Sequence, residues 1–524
     1  MQKNLPEIVF ASSDKAESMR VSRLVKAGRL RKLYPRIYTS NVTDAPDSIV
    51  SRNLYPILAR IFPGALLSHR TALEGKPTED GALFLTYKYS RRIRLPGVTV
   101  HLLKGQERME DDRPFLDGLF ISSRPRAYLE NLQISRSRSS SAKVLSKAAV
   151  EDGLDRLCQI QGEEALNTLR DKARKIAPAL GMEAQFQMLN TIIGAILRSR
   201  PATGLDSKAA RARSHGVPYD TVRLAILNRL FSHLLRAPQP VLVEQKRTPD
   251  EVRLLAFIES YFSNYIEGTD FEITEAYDIV FKNKIPERRP QDAHDIIGTF
   301  RIVSDHQDMR RVPASFDEFL DVLKSRHHAV MEARPEKLPG QFKSEPNRAG
   351  QTHFVAPELV KGTLLKGFEL SMAVEPGLAR AIFMMFLVTE VHPFVDGNGR
   401  VARAMMNAEL THAGLCRIIV PTVFRDDYLL ALRAMSRSDN PDPIIKMMDH
   451  AQKFTSELPL TSYDITTSVL TKCHAFDEPD EARLRMPSSF SGDTAGNTRS
   501  EAPQGKAPQG TGLHSAGSGV PPRR

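Results

Sequence analysis

The stretch from His392 to Arg403 holds the chain's most concentrated set of chemically useful side chains. It reads His392-Pro393-Phe394-Val395-Asp396-Gly397-Asn398-Gly399-Arg400, with Arg403 three residues further on. An imidazole takes up a proton near neutral pH, so His392 is a candidate general base. Asp396 offers a hard carboxylate oxygen of the kind Mg²⁺ prefers. Gly397 and Gly399, on either side of Asn398, let successive backbone N–H groups turn inward as an anion nest. Arg400 and Arg403 fall on one side of a helical first turn, where each can grip a phosphate with a planar fork. A base, a metal ligand, an anion cradle and two arginines are the parts of a phosphoryl- or nucleotidyl-transfer site. Singly each is ordinary, since Gly-Asn-Gly is a common turn and paired arginines on a helix are usually solvated. Their order and spacing carry the reading.

Two helices must position this loop. Glu375-Pro376 opens an apolar helix through Ile382-Phe383-Met384-Met385-Phe386-Leu387-Val388. It ends near Val391, because Pro393 cannot continue it. A second helix is expected from about Arg400 through Leu410, its free N–H groups and dipole adding to the cradle. Further upstream, Thr248-Pro249-Asp250-Glu251 reads as a capping box that starts a helix. Leu254, Leu255, Phe257, Ile258, Tyr261, Phe262 and Tyr265 give that helix a broad apolar face, and Gly268 closes it.

The loop matches the pattern His-x-Phe-x-Asp/Glu-Gly-Asn-Gly-Arg-x-x-Arg at every defined position, and in this the chain resembles the Fic family. The resemblance implies a helical domain that transfers AMP from ATP to a Ser, Thr or Tyr hydroxyl of a protein. By it, His392 deprotonates the hydroxyl, Phe394 is a buried residue that fixes the loop, and Asp396 holds Mg²⁺. Gly397, Asn398 and Gly399 form the anion hole around the α- and β-phosphates, Arg400 holds the β-phosphate and Arg403 the γ-phosphate. Asn407 and Tyr428 are similar to residues lining the adenine side, although a packed core aromatic is an equal reading of Tyr428. Gly399 stands where the phosphotransferase branch has Asn-Lys-Arg, which favours AMP transfer. Ser263-Asn264-Tyr265-Ile266-Glu267-Gly268 fits the family's inhibitory pattern Ser/Thr-x-x-x-Glu-Gly/Asn. That implies an inhibitory pair, Ser263 and Glu267, with Glu267 on Arg403 in the γ-phosphate position. A surface glutamate before a helix-ending glycine is the plain alternative. Leu338-Pro339-Gly340-Gln341-Phe342-Lys343 resembles the approach to the flap, a hairpin that docks the target. Residues Pro346 to His353, where the flap would lie, show no clear alternation.

The chain's 524 residues suggest about three domains. Residues 1–240 hold 39 lysines and arginines against 23 acids, a net of +16, while the remainder holds 34 against 39, a net of −5. A basic half suggests a polyanion, DNA first, or a merely solvated surface. Within it, Leu24-Val25-Lys26-Ala27-Gly28-Arg29-Leu30 through Tyr38, then Leu67-Ser68-His69-Arg70-Thr71-Ala72-Leu73 and Pro96-Gly97-Val98-Thr99-Val100, resembles the abortive-infection antitoxin and transcriptional-regulator family (AbiEi-like). That resemblance covers residues 1–135 and implies a DNA-binding winged helix.

The expected fold is mainly α, with a Fic helical domain in the C-terminal half. The expected order is a winged helix-turn-helix-like unit over 1–60, with helices from Ser12–Glu17 and from about Ser22 to Gly28 before a hairpin. A small α/β region over 61–135 follows, then a joint at Ser135–Ser141 and a helical region over 143–237. After Pro238-Gln239-Pro240 comes the Fic domain over 241–455, with its inhibitory helix at 249–267. The Gly-, Ser- and Pro-rich residues 476–524 read as a disordered tail. No apolar run of membrane-spanning length occurs, the start does not read as a signal peptide, and Cys158, Cys416 and Cys473 are too dispersed for a disulfide framework. A cytoplasmic setting is expected, and a homodimer is left open. Two other functions stay in play. One is removal of AMP from a target, with Glu267 orienting water. The other is a DNA-binding regulator whose Fic site only binds nucleotide.

Overall fold

The computed structural model describes residues 5–12, 14–135, 142–201, 203–236 and 240–490. It begins with β1 (Ile8–Phe10), α1 (Lys15–Lys26), β2 (Arg31–Tyr34) and β3 (Ile37–Thr39), the strands pairing antiparallel in the order β1-β3-β2. Asp14 caps α1 by accepting the Glu17 N–H at 2.9 Å. The two helices expected between Ser12 and Gly28 are one helix, because no glycine or proline interrupts Lys15 to Lys26. Gly28, at φ 68°, gives the left-handed exit. The hairpin is where expected, and among the described residues one helix, not two, precedes it.

Next come α2 (Pro46–Arg52), α3 (Leu54–Ile61), β4 (Leu66–Leu67), α4 (His69–Glu74), β5 (Ala82–Tyr87), β6 (Arg91–Leu95), β7 (Val98–Lys104), β8 (Arg113–Pro114), β9 (Phe120–Ile121) and α5 (Arg124–Asn131). These six strands form one mixed sheet, β6-β7-β5-β4-β9-β8. Val50, Leu54, Ile57 and Leu58 share a buried cluster with Leu67, Leu83, Val100 and Ile121. The boundary expected at residue 60 is therefore not one in packing, since α2 and α3 close over the sheet that follows.

Of the expected joint, residues 136–141 lie outside the described residues. After it run α6 (Lys147–Leu180), broken at Gly162 (φ 79°), then α7 (Glu183–Ile196), α8 (Lys208–Ser214) and α9 (Thr221–Leu234). Helices α5 to α8 bury their own cluster, including Leu129, Leu154, Leu189 and Ala210. Helix α9 does not join it. Its Ile226, Leu227, Leu230 and Leu234 belong to the next core, with Leu364 and Phe383, and the Asp220 N–H donates to the Thr363 hydroxyl at 2.9 Å. The division expected at Pro238-Gln239-Pro240, where 237–239 lie outside the described residues, thus falls after a helix that packs with the domain beyond it.

That domain is built from α10 (Pro249–Ile266), α11 (Ile273–Lys282), α12 (Pro290–Ser304), α13 (His306–Arg310), α14 (Phe316–Met331), the hairpin β10 (Arg348–Ala349) with β11 (Thr352–His353), and then α15 (Pro357–Ser371), α16 (Leu378–Val391), α17 (Asn398–His412), α18 (Arg425–Ser438), α19 (Asp442–Ser456) and α20 (Tyr463–Lys472). Helix α16 is central: from Ala381 to Val388 no side chain is more than 1% exposed. Truncating one of its large side chains to alanine costs about 2–5 kcal/mol. Residues 476–490, expected to belong to a disordered tail, are packed against the domain. Phe476 stacks on Phe262 of α10 at 5.4 Å, and Leu484, Met486 and Phe490 lie against the cluster of α10 and α11. These few apolar residues, dispersed among charge and proline, are enough to seat the segment. Residues 491–524, with the rest of that tail, lie outside the described residues. Among the described residues no helix is long and apolar enough to cross a membrane.

Candidate active site

Helix α16 ends at His392, whose φ of 52° turns the chain out of the helix. The loop that follows is closed by Asn398, which accepts the Phe394 N–H at 2.9 Å and donates back to the Phe394 carbonyl at 3.0 Å. Phe394 is fully buried and lies flat on His327 of α14, 3.7 Å between ring centroids. Gly397 has φ 72°, and a Cβ there would stand 2.8 Å from Met331 Sδ, so the turn requires glycine twice over. Helix α17 starts at Asn398, two residues before the expected Arg400.

A cavity of about 470 Å³ opens over this loop, and His392, Gly399, Arg403, Tyr428 and Glu267 line it. The His392 Nδ1 lies 3.3 Å from the Thr389 carbonyl, which can only accept, so in the neutral ring Nδ1 carries the hydrogen. Nε2 keeps a free lone pair, with no protein partner among the described residues. Burial pushes the imidazole down to about 4, so the ring is neutral at physiological pH.

Arg403 is held on three sides. Its Nε donates to the Ser263 hydroxyl at 3.0 Å, and its Nη2 donates to the Ser263 carbonyl at 2.7 Å and to Glu267 Oε1 at 2.8 Å. Its guanidinium also lies 5.8 Å from the centre of the Tyr428 ring. The capping box of α10 is present, and Glu267 is that helix's C-cap. Burial opposes the Glu267 charge, but Arg403 and then Arg400 outweigh it and hold the carboxyl below its ordinary range. The carboxylate sits in the cradle itself, since a Cβ on Gly399 would lie 2.0 Å from Glu267 Oε1. Gly399 has ordinary helical torsions, so glycine there provides space.

Three expected residues sit differently. Arg400 is 3% exposed and pairs with Asp295 of α12 at 2.7 Å, so it packs into the protein and does not line the cavity. Asn407 is fully buried and fully used: it donates to Glu259 at 2.8 Å and to the Ile418 carbonyl at 2.9 Å, and accepts the Ile418 N–H at 2.8 Å. It fastens α17 to α10 and does not reach the cavity. Asp396 does not line the cavity; its side chain is 43% exposed and accepts the Gly397 N–H at 2.7 Å, with Lys337 3.6 Å away. Burial works against its charge, but the Gly397 N–H and Arg400 hold its carboxyl below the usual range. Tyr428 lines the cavity yet is 1% exposed, its hydroxyl 3.5 Å from Met385 Sδ, so both readings of it have support.

The sequence reading missed His327, Phe354 and Glu259. His327 accepts the Gly340 N–H on Nδ1 at 2.9 Å, which leaves Nε2–H to donate to the Asp396 carbonyl at 3.0 Å. Phe354 lies flat on His392 at 3.7 Å. Glu259, 5% exposed, holds Asn407 and also Arg417 at 3.1 Å. Lys343 is 4% exposed and donates to Asn347 at 2.6 Å, and burial pushes it down to about 8.

Fold and site together define a helical domain whose candidate anion cradle lies between two core helices. The Fic/DOC family profile matches residues 316–410. A Fido domain-containing protein of Dictyostelium discoideum is 30% identical over 103 residues, 19% of this chain and 72% of that protein. The chain belongs to the Fic/DOC family. The protein adenylyltransferase Fic of Nematostella vectensis is 25% identical over 304 residues, 55% of this chain and 69% of that enzyme. The protein adenylyltransferase fic-1 of Caenorhabditis briggsae is 30% identical over 124 residues, and the chain spans only 24% of its length. Among solved structures, Fic-1 of C. elegans (residues 134–508) aligns with a TM-score of 0.34 at 17% identity, covering 59% of this chain and 95% of that one.

Proposed function

We propose that this protein is an adenylyltransferase that moves AMP from ATP to a Ser, Thr or Tyr hydroxyl of a protein target and is held back by Glu267. The observation that carries the reading is the Glu267–Arg403 pair at 2.8 Å, inside a cavity that also exposes the His392 imidazole. An anion already occupies the anion cradle, and it belongs to the chain. With Glu267 withdrawn, Gly399 and Arg403 would be free for phosphate. The target hydroxyl would give its proton to His392 Nε2 while its oxygen attacks the α-phosphorus. The bond to the β-phosphate oxygen breaks, and pyrophosphate leaves.

Asp396 fits a Mg²⁺ ligand, being ionised and half-exposed. Among the described residues no group of three or more His, Cys, Asp or Glu could hold a metal, so phosphate oxygens and water would complete the shell. When bound, the ion would neutralise phosphate charge.

The test is labelling with ATP radioactive at the α-phosphate, comparing Glu267→Gly with Glu267→Gly/His392→Ala. Label on the single variant or an added target, lost in the double variant, is the expected result. No label on the single variant sinks the reading. Incubating a pre-modified target with the unaltered protein separates AMP removal from AMP addition.

A second activity, DNA binding through residues 1–135, is favoured by α1. Arg20, Arg23 and Lys26 on this helix are exposed, as are Arg29, Lys32 and Arg36 beside it, and Val21 is its one buried residue. Gel shifts over a salt series should show steep salt dependence, and no retardation at low salt ends this reading. The three cysteines are buried and unpaired, which suits a reducing cytoplasm.

A further inference from the structure

The orientation of His392 is underdetermined by its own bonds. Its Nδ1 contact to Thr389, at 3.3 Å, is long for a hydrogen bond. The ring is nevertheless fixed in plane, because Phe354 covers one face at 3.7 Å and 4° from parallel. Phe354 directly follows β11 and is itself pinned. Its N–H donates to the Asn347 carbonyl at 3.2 Å, which closes the β10–β11 hairpin at its root. The Asn347 amide donates to the Phe394 carbonyl at 2.8 Å, and the Lys343 ammonium donates to the Asn347 side chain at 2.6 Å. The Lys343 N–H donates to the Pro393 carbonyl at 2.9 Å. The hairpin root and the His392 loop are thus stitched into one frame. Distant helices brace the same hairpin: Arg223 of α9 bonds the His353 carbonyl and Glu390, and Arg437 of α18 donates to the Thr352 hydroxyl at 2.6 Å.

We propose that Phe354 is a positioning residue for AMP transfer, which holds the plane of the His392 imidazole and ties the alignment of the base to the β10–β11 hairpin. The functional half of this rests on the adenylyltransferase reading; the stacking half does not. A base must meet its proton within hydrogen-bond reach, so a ring free to rotate about χ2 spends part of its time unable to accept. Phe354 also shields the ring from water. The charged groups facing His392 are Lys343 from the hairpin's approach, Glu267 from α10 and Asp396 from its own loop. Lys343 disfavours the protonated ring and the two carboxylates favour it, but burial is the largest influence.

The experiment uses the full chain carrying Glu267→Gly, with Phe354→Ala, Phe354→Leu and Phe354→Tyr added singly. One readout is the NMR titration of the His392 ring, assigned by loss of its signal in His392→Gln. The other is the rate of self-labelling from α-labelled ATP over a range of ATP concentrations. In Phe354→Ala the titration midpoint should rise by about one unit or more toward the ordinary histidine value, because the buried face opens to water. The maximal labelling rate should fall about 10- to 100-fold, a fraction of what losing the base altogether costs. Half-saturating ATP should stay within about twofold, because the cradle is untouched. Phe354→Tyr keeps the flat ring and should preserve both midpoint and rate. Phe354→Leu keeps bulk without a ring plane, so it should fold, keep much of the shielding and still lose rate. An unmoved midpoint and a rate within about twofold in Phe354→Ala would overturn the proposal. If the Glu267→Gly parent itself labels nothing, the adenylyltransferase reading fails and the titration alone still decides the stacking half.

Discussion

His327 and His392 each lie flat on a phenylalanine, with ring centroids 3.7 Å apart in both pairs. His327 is fully buried and His392 partly so, and burial pushes both down to about 4. The difference is in the nitrogens. His327 spends both, on the Gly340 N–H and the Asp396 carbonyl, and so clips the loop to the segment before the hairpin. His392 spends one and keeps the other at the cavity wall. The stacking and the downward shift are alike in the two places. What separates a structural histidine from a candidate base is one lone pair left without a protein partner.

The comparison can be broken most severely by removing each ring in turn. In the Glu267→Gly background, His392→Ala should lower AMP labelling by about 10²- to 10⁴-fold, with little change in melting temperature. His327→Ala removes a buried stacked ring and two hydrogen bonds, and should cost about 3 kcal/mol in urea unfolding. Equal loss of stability in the two variants would erase the distinction. Next in size is the release of the cavity itself. Glu267→Gly should raise labelling about 10- to 100-fold over the unaltered chain, the range expected for losing a charged hydrogen bond of about 1.5–3 kcal/mol.

Acid should act on both histidines together. Each has a folded value below the ordinary 6.5. Between about pH 6.5 and 4 the unfolded chain therefore binds more protons than the folded one, and stability falls as pH falls through that window. Urea midpoints at pH 7 and pH 5 check this, and His327→Gln should flatten the dependence. Across the same window the maximal labelling rate of Glu267→Gly should hold steady and decline only near pH 4, since Nε2 stays unprotonated until then. An acid limb near 6.5 would show that His392 is open to water. The smallest effect expected is that of Tyr265→Phe, which removes the hydroxyl bond to Glu478 beside the turn that carries Glu267. Basal labelling by the otherwise unaltered chain should rise by no more than about threefold.

Much of this site was legible because its parts are local. The capping box, the helix break before Pro393 and the Gly397 turn are set by neighbours in sequence and are found where the spacing put them, whereas Gly399, read as a second turn glycine, is helical. The misreadings share a cause. Spacing tells which face of a helix a residue occupies, not what waits opposite. Arg400 does lie toward α10, but Asp295, more than a hundred residues away in sequence, claims it. Asn407 is one turn past Arg403, as the pattern requires, yet Glu259 and the Ile418 backbone satisfy it. Phe354 and His327 carry no local signature, since a stacked ring is recognised only by its partner. In the N-terminal half the boundary expected at residue 60 fails for the same reason, because α2 and α3 share a core with strands that follow it in sequence.

Glu267 is the residue just past the last turn of α10, and α10 is anchored along its length by a buried core and by Glu259. Clearing Glu267 from Arg403 therefore requires no movement of that helix, only a swing of the side chain at its C-cap, while Ser263 keeps its own bonds to Arg403. Such a restraint behaves as a leaky valve and not as a latch. A clasp worth about 1.5–3 kcal/mol leaves roughly 1–10% of molecules open at any instant. Terminal motions of this kind exchange in nanoseconds to microseconds, far faster than a typical turnover. Each molecule would then sample the open form many times per catalytic cycle, and regulation would consist of adjusting a leak that is never zero.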